Sequence, residues 1–366
     1  MLLTWHFQAT DTHLGLQADY NVSVYQVYHD VALQSIQQYN SLEVLCYSWQ
    51  TARYSTSWPS WVPRWDIPNN QSVPVLLPFL YDAAGGLGPE YHINTERDAL
   101  TVRGLSMGPI TEASFVIRYP TLATTNGVST VKKKLMDLAT FITQDRWQSD
   151  LSSDRRATRS HHDQETYFAS FASHFLRILE GQNDDCYISL YSVWCECCER
   201  YVSAWEGEAS SEPCSFYHCS ICDFGDFDLC TSCYEKGSRC KDECHTLQKL
   251  VIPSLWLPHS AEIRSTLREH AAKGHQGAFH RTLSLSCRRT AFFTMGDSQR
   301  SGTASLTVEP GDEVVVLFGC RVPFILRRCG SAYRLVSDCY IPGLMDGEAV
   351  RMWRSGALQT EEFEIK

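Results

Sequence analysis

Four pairs of metal-seeking side chains fall within about fifty residues of this 366-residue sequence. Cys195/Cys198, Cys219/Cys222 and Cys230/Cys233 are Cys-x-x-Cys turns, and Cys240 and His245 follow. Thiolate sulfur and imidazole nitrogen are preferred ligands of zinc, and a Cys-x-x-Cys turn offers two donors at a bite that suits a tetrahedral ion. Eight such donors make two complete tetrahedra. With every position held by protein, no place remains for the water of a catalytic zinc, so the chemistry expected is structural.

The seven residues between Cys222 and Cys230 are too few for a separate folded unit around each ion. Alternate pairs are therefore expected to share a metal in a cross-brace. On this reading Cys195, Cys198, Cys230 and Cys233 hold one Zn2+, and Cys219, Cys222, Cys240 and His245 hold the other. Cys197, Cys214 and Cys244 are near enough to substitute. Cys197/Cys214 can replace the first pair, and Cys244 can replace His245.

The distribution of thiols favours metal over disulfides. Of sixteen cysteines, ten lie between Cys195 and Cys244, and Cys46, Cys186, Cys287, Cys320, Cys329 and Cys339 are scattered singly. Disulfide scaffolds are short secreted chains behind a signal peptide. The opening "MLLTWHFQATDTHLG" has no cationic n-region and no long apolar h-region. No apolar run reaches the ~18 residues that span a membrane. A cytoplasmic protein without membrane contact is expected. The net charge of −10 and a pI near 5.7 argue against nucleic acid as partner, since phosphate binding needs concentrated Lys and Arg.

The elements around the cysteine block read as mixed α and β. Length predicts two or three domains with a sizeable core. Residues 19–45 read as a helix with a Ser23/Gln26 capping box and Val24, Val27, Tyr28, Val31, Ala32 and Ile36 at helical spacing. "WPSWVPRWDIP" (58–68) cannot be a regular helix, because Pro59 and Pro63 interrupt it; its tryptophans are expected to pack an extended segment onto the core. Residues 99–110 read as a strand and a turn. Helices are expected at 131–148, at 164–180, with Tyr167, Phe168, Phe171, Phe175 and Leu176 on one face, and at 260–274, with Ser260 at its cap and Ile263 buried. Residues 152–164 read as a polar linker carrying His161 and His162. "GDEVVVLFG", "VPFILRR" and "AYRLVSDCYI" read as hairpins of a small C-terminal antiparallel sheet or barrel. The fold class expected is α+β, divided into a helical and extended segment (1–185), a two-zinc finger (186–252), and a helix plus β-rich segment (253–366) that packs with the first.

"FYHCSICDFGDFDLCTSCYEKGSRC" resembles the ZZ-type zinc finger. The match lies in the Asp226-Phe227-Asp228-Leu229-Cys230 step between Cys-x-x-Cys pairs and in Gly237 before the closing pair. Cys240 stands where the family usually has a first closing histidine, and Cys195/Cys198 lies further upstream than usual. No Cys-x-His-x-x-Cys stretch of a RING finger is present. The resemblance implies a module that binds a short protein segment, such as an N-terminal amine or a basic tail, through acidic side chains. Residues 195–250 hold eleven acidic and five basic residues, a balance that favours a cationic partner. Asp223, Asp226 and Asp228 are the nominated ligand-binding residues; alternatively, Asp226 and Asp228 cap the turn between ligand pairs. His218 is expected to pack beside Tyr217 or to support a ligand.

A second resemblance frames the first. "DYNVSVYQVYHDVA", "PSWVPRWD", "PGDEVVVLFGCRVPFILRR" and "YRLVSDCYIPGLMDGEAV" are similar, in order and spacing, to the region that follows the HET domain in fungal heterokaryon incompatibility proteins. It covers about two thirds of the chain, with the cysteine block as an insertion. The HET core's "SYVWG"-like strand and "DAICINQ"-like helix do not appear. The resemblance implies a fungal interaction protein of that class, without activity lodged in the core. The alternatives are an enzyme with its site in the scaffold, and a truncated paralogue of a cell-death protein.

No catalytic residue is nominated. Asp346 and Glu348 flank Gly347, a turn residue, and are expected to shape a turn rather than to share acid–base work. Cys287, Cys320, Cys329 and Cys339 sit in or beside apolar β-rich runs and are expected to be inert. No P-loop, Gly-x-Gly-x-x-Gly, Gly-x-Ser-x-Gly or His-Glu-x-x-His occurs.

Overall fold

The structure, a computed structural model, describes residues 22–48, 58–65, 81–94, 98–114, 116–118, 128–143, 161–180, 186–189, 193–202, 214–219, 221–222, 227–242, 244–252, 254–257, 261–274, 279, 283, 290–296, 300–305 and 307–366. In chain order its helices are α1 (Val24–Tyr39), α2 (Val128–Thr143), α3 (His161–Glu180), α4 (Thr231–Glu235), α5 (Ala261–Ala271) and α6 (Glu348–Arg354). Its strands are β1 (Tyr91–Asn94), β2 (Ala99–Ser114), β3 (Val116–Arg118), β4 (Cys186–Ser189), β5 (Val193–Cys195), β6 (Arg200–Val202), β7 (Ser215–Cys219), β8 (Phe227–Cys230), β9 (Gln248–Val251), β10 (Ser254–Leu257), β11 (Thr290–Met295), β12 (Ser301–Ser305), β13 (Glu313–Leu317), β14 (Phe324–Cys329), β15 (Ala332–Tyr340) and β16 (Thr360–Ile365). The chain divides into two compact units. One takes Met1–Ile67, Val75–Glu112 and Thr294–Lys366; the other takes Pro68–Pro74 and Ala113–Phe293.

An eight-stranded, mainly antiparallel sheet, larger than the small C-terminal sheet expected, supplies the strands of the first unit, with most of β11 assigned to the second. It runs β1-β2-β11-β12-β15-β14-β13, β16 joins β15 and β2, and β2 also pairs β13, so the sheet closes on itself. Closure recruits β2, far upstream of the C-terminal hairpins. Residues 99–110 are not a strand followed by a turn: the strand continues to Ser114, and Gly108 (φ 101°) sits in a bulge where the register with β13 steps from Gly108 to Ser106. The alternating apolar residues of β2, β13, β14, β15 and β16 fill the interior, with Leu100, Val102, Leu105, Val314, Val316, Phe324, Leu335 and Phe363 fully buried.

Helix α1 is shorter than the 19–45 expected. Ser23 caps it, its Oγ accepting the Gln26 N–H at 3.2 Å, while the Gln26 side chain turns away to Asp30. Asn40, in the left-handed region at φ 45°, ends it, and a 3-10 turn over Glu43–Tyr47 follows. Its buried stripe is His29, Ala32 and Ile36. Val24 and Val27 fall on the other side and are 55% and 39% exposed. From "WPSWVPRWDIP", Trp61 is buried and donates Nε1–H to the Asp98 carbonyl at 2.9 Å. Residues 66–68 lie outside the described residues.

In the second unit α2, α3 and α5 share an apolar core. Phe168, Phe171 and Phe175 of α3 are fully buried, and all but Phe168 face Phe279 within 6.1 Å. Ile263 of α5 is buried as expected, while Ser260 and residues 144–148 lie outside the described residues. Helix α3 starts at His161, so His161 and His162 belong to its first turn and not to a linker; 152–160 are outside the described residues. Strands β4, β10 and β3 form a small sheet, and the cysteine block supplies a β5–β6 hairpin and a β8-β7-β9 sheet. Among the described residues no helix is long and apolar enough to cross a membrane.

Candidate metal centre

Two strand pairs and two tight turns gather the cysteines. β5 ends on Cys195, and the turn after it, closed by the Glu199 N–H to Cys195 carbonyl bond, brings round Cys198. Glu199 takes φ 53° to complete that turn. β7 ends on Cys219 and β8 on Cys230, antiparallel to each other. Cys230 caps the short helix α4, its sulfur accepting the Cys233 N–H at 3.3 Å, so Cys233 is carried on the first helical turn. Gly237 (φ 96°) reverses the chain towards Cys240 and His245.

These elements bring the donors into two groups. Cys195, Cys198, Cys230 and Cys233 form one; Cys219, Cys222, Cys240 and His245 form the other. Within each group the ligand atoms lie within 4.8 Å of one another. Distances between donors fit an ion placed between them. Cys198 Sγ and Cys230 Sγ are 4.0 Å apart, against about 3.8 Å for two sulfurs on a tetrahedral zinc with Zn–S near 2.3 Å. His245 Nδ1 is 3.4 Å from Cys222 Sγ and 3.8 Å from Cys219 Sγ. The seven cysteines of the two groups are free thiols. Cys197 and Cys244 are exposed, Cys214 is half-buried, and all three stand outside both groups.

The chemistry of the donor set points to a cation. Backbone N–H groups aim at the sulfurs: Cys222 at Cys219 Sγ (3.4 Å), and Cys230 at Cys195 Sγ (3.2 Å). Crowding sets the thiols against one another. Burial pushes Cys198 up, yet hydrogen bonds from Arg200 and from the Cys195, Cys233 and Cys230 thiols outweigh it and bring its pKa down to about 7. Cys233 is pushed up, first by its bond with Cys230 and then by burial. Cys240 rises to about 11 through burial and its Cys219 and Cys222 neighbours. Four thiolates cannot share such a space without a positive charge among them. The sulfurs are the larger part of one buried cluster, Cys195, Cys219, Cys222, Cys233 and Cys240 with Phe227 and Leu229, while Val193, Phe216, Leu250 and Ile252 are buried elsewhere in the block. A core made largely of sulfur is one that metal binding would complete. Either group could hold a metal ion.

Of the aspartates nominated for a ligand, Asp223 and Asp226 lie outside the described residues. Asp228 is buried, and its Oδ1 stands 2.7 Å from Nδ1 of His218, directly opposite on β7. A carboxylate only accepts, so the imidazole donates. Neither partner was legible as a pair in the sequence; only the register of β7 against β8 puts them face to face. Tyr217 stacks instead on Tyr234, ring centroids 3.5 Å apart, with Arg239 over the outer face of Tyr234 at 4.2 Å. In the first unit, the Asp346 N–H donates to Glu348 Oε2 across Gly347 (φ 79°), a turn that opens α6.

Comparison with known families adds one fact. Residues 260–355 match the Het-6 beta-barrel domain. The Het-6 stretch runs from α5 through β11–β15 into α6, and β2 and β16 complete the closed sheet around it. The Het-6 match supports a relation to heterokaryon incompatibility proteins, as the C-terminal motifs suggested. No curated protein and no solved structure matches the chain significantly.

Proposed function

We propose that the chain is a non-enzymatic interaction protein of the heterokaryon incompatibility class, in which a ZZ-type finger with two structural zinc ions binds a cationic protein segment. The observation that carries the reading is that successive ligand pairs converge alternately, first with third and second with fourth. A chain crossed in this way is fixed at both ions and needs little apolar core. Cys195, Cys198, Cys230 and Cys233 would hold one ion, and Cys219, Cys222, Cys240 and His245 the other. Zinc supplies cross-linking and charge neutralisation there. Seven thiolates exceed the charge of two Zn2+, so the loaded block keeps its acidic balance and attracts a basic segment.

The test is zinc per chain on the purified full-length protein, by elemental analysis. Two ions are expected in wild type, falling towards one in Cys230→Ser. An absence of zinc from the wild type overturns the finger. Partner class is read with fluorescent peptides of equal length, one rich in Lys and Arg and one rich in Asp and Glu. Binding of the basic peptide alone, weakened by salt and lost on chelation, is expected. Equal binding of both, or binding that survives chelation, overturns the module.

A further inference from the structure

Between the two ligand groups lies a buried pair that belongs to neither. β7 carries Cys219 of one group, and β8 carries Cys230 of the other. Between them, His218 and Asp228 stand opposite in the antiparallel register, one residue from Cys219 and two from Cys230. Their side chains meet at 2.7 Å and are 3% and 8% exposed. The main chain of Asp228 makes a further tie. Its carbonyl accepts the Glu196 N–H at 2.9 Å, inside the turn that carries Cys195 and Cys198. Residue 228 thus holds the first turn through its backbone and β7 through its carboxylate, and Cys230 beside it donates its N–H to Cys195 Sγ at 3.2 Å.

We infer that the His218–Asp228 pair is a positioning device that couples the two metal groups, so that they fill together. The inference rests on the two-metal reading above. With Cys219 held in a filled group, β7 would be fixed, and the pair would pass that order to β8, which would present Cys230 and Cys233 already placed. Buried polar partners transmit position in this way because leaving either one alone in a dry site is costly.

The test is stepwise loading of the metal-free full chain with Co2+, whose visible spectrum distinguishes an all-sulfur site from one with a nitrogen ligand. In wild type both signatures are expected to rise in parallel. In Asp228→Ala they should separate, one site weakened ~10-fold or more, in line with the effect of removing outer partners of metal ligands. Asp228→Asn keeps an acceptor for the imidazole and should restore parallel filling, which a general loss of packing would not allow. A downfield His218 Nδ1–H proton resonance should be present in wild type and absent in Asp228→Ala. Two cobalt ions entering wild type independently, or coupling unchanged in Asp228→Ala, overturns the coupling and leaves the two-metal reading standing. If Asp228→Ala does not fold, wild type and Asp228→Asn decide the matter alone. Failure of wild type to take two ions fells the two-metal reading itself, and the coupling with it.

Discussion

Cys46, Cys320 and Cys339 are buried in the first unit, and burial pushes each thiol up from its ordinary range; the Asp338 charge adds to this for Cys46 and Cys339. A thiol held protonated is a poor nucleophile. Cys329 is exposed at the end of β14, and Cys287 lies outside the described residues. The raised values have a consequence for stability. The unfolded chain ionises its thiols near pH 8.5, while the folded chain keeps them neutral. The stabilisation is therefore complete below about pH 8.5 and is lost as the pH climbs above it, at up to about 1.4 kcal/mol per unit for each thiol. Urea midpoints of the full chain should fall steadily between about pH 8.5 and 10.5. The triple variant Cys46→Ala/Cys320→Ala/Cys339→Ala starts less stable but should show a flatter slope; an identical slope would sink the account. At this scale the two groups that could hold metal were legible in the sequence, because a Cys-x-x-Cys bite is a local property. The His218–Asp228 pair was not, because it exists only through pairing between strands.

Among elements, β2 decides the first unit. Its two edges are taken by different strands at the same point: Gly104 faces Leu317 of β13 on one side and Glu361 of β16 on the other. A Cβ at Gly104 would stand 2.7 Å from the Val316 carbonyl oxygen and 3.1 Å from Leu317 Cα, both backbone, which cannot swing aside. The glycine is there so that the sheet can close tightly. Gly104→Ala should therefore destabilise the closed sheet by about 2–3 kcal/mol, as overpacking does, despite alanine's small size. Thermal unfolding checks this. A variant as stable as wild type would mean that β13 can yield. Local pattern showed the C-terminal hairpins and the α3 and α5 helices well, since each repeats its apolar residues at its own period. It could not show β2 as the closing strand, because β2 pairs with β13 and β16, which lie more than two hundred residues later in the sequence. It placed Ala32 and Ile36 on the buried stripe of α1 but missed His29 at its start. Val24 and Val27 have helical spacing, but the tryptophan beside the helix packs on His29, whose ring lies 5.3 Å from Trp61.

At the scale of the molecule, the two units are held by different physics. The first has a continuous apolar interior inside a closed sheet, and the second adds to its helical core a block whose buried cluster is mostly sulfur. Apolar burial is indifferent to chelators, whereas a thiolate cluster without its cation must protonate or come apart. Removing metal should therefore act selectively. Hydrogen exchange on the full chain, with and without chelator, reads each segment by itself. Amides of β7 and β8, and the Cys222, Cys230 and Cys233 amides that point at sulfur, should lose protection when metal is stripped. Amides of β2, β13, β14 and β15 should keep theirs, since their ladders close on one another and involve no metal-ligand side chain. Protection lost in both sets would show that the closed sheet depends on the metal centre. Protection kept in both would show that the sulfur cluster holds without a cation, and structural zinc would then have no work to do in this chain.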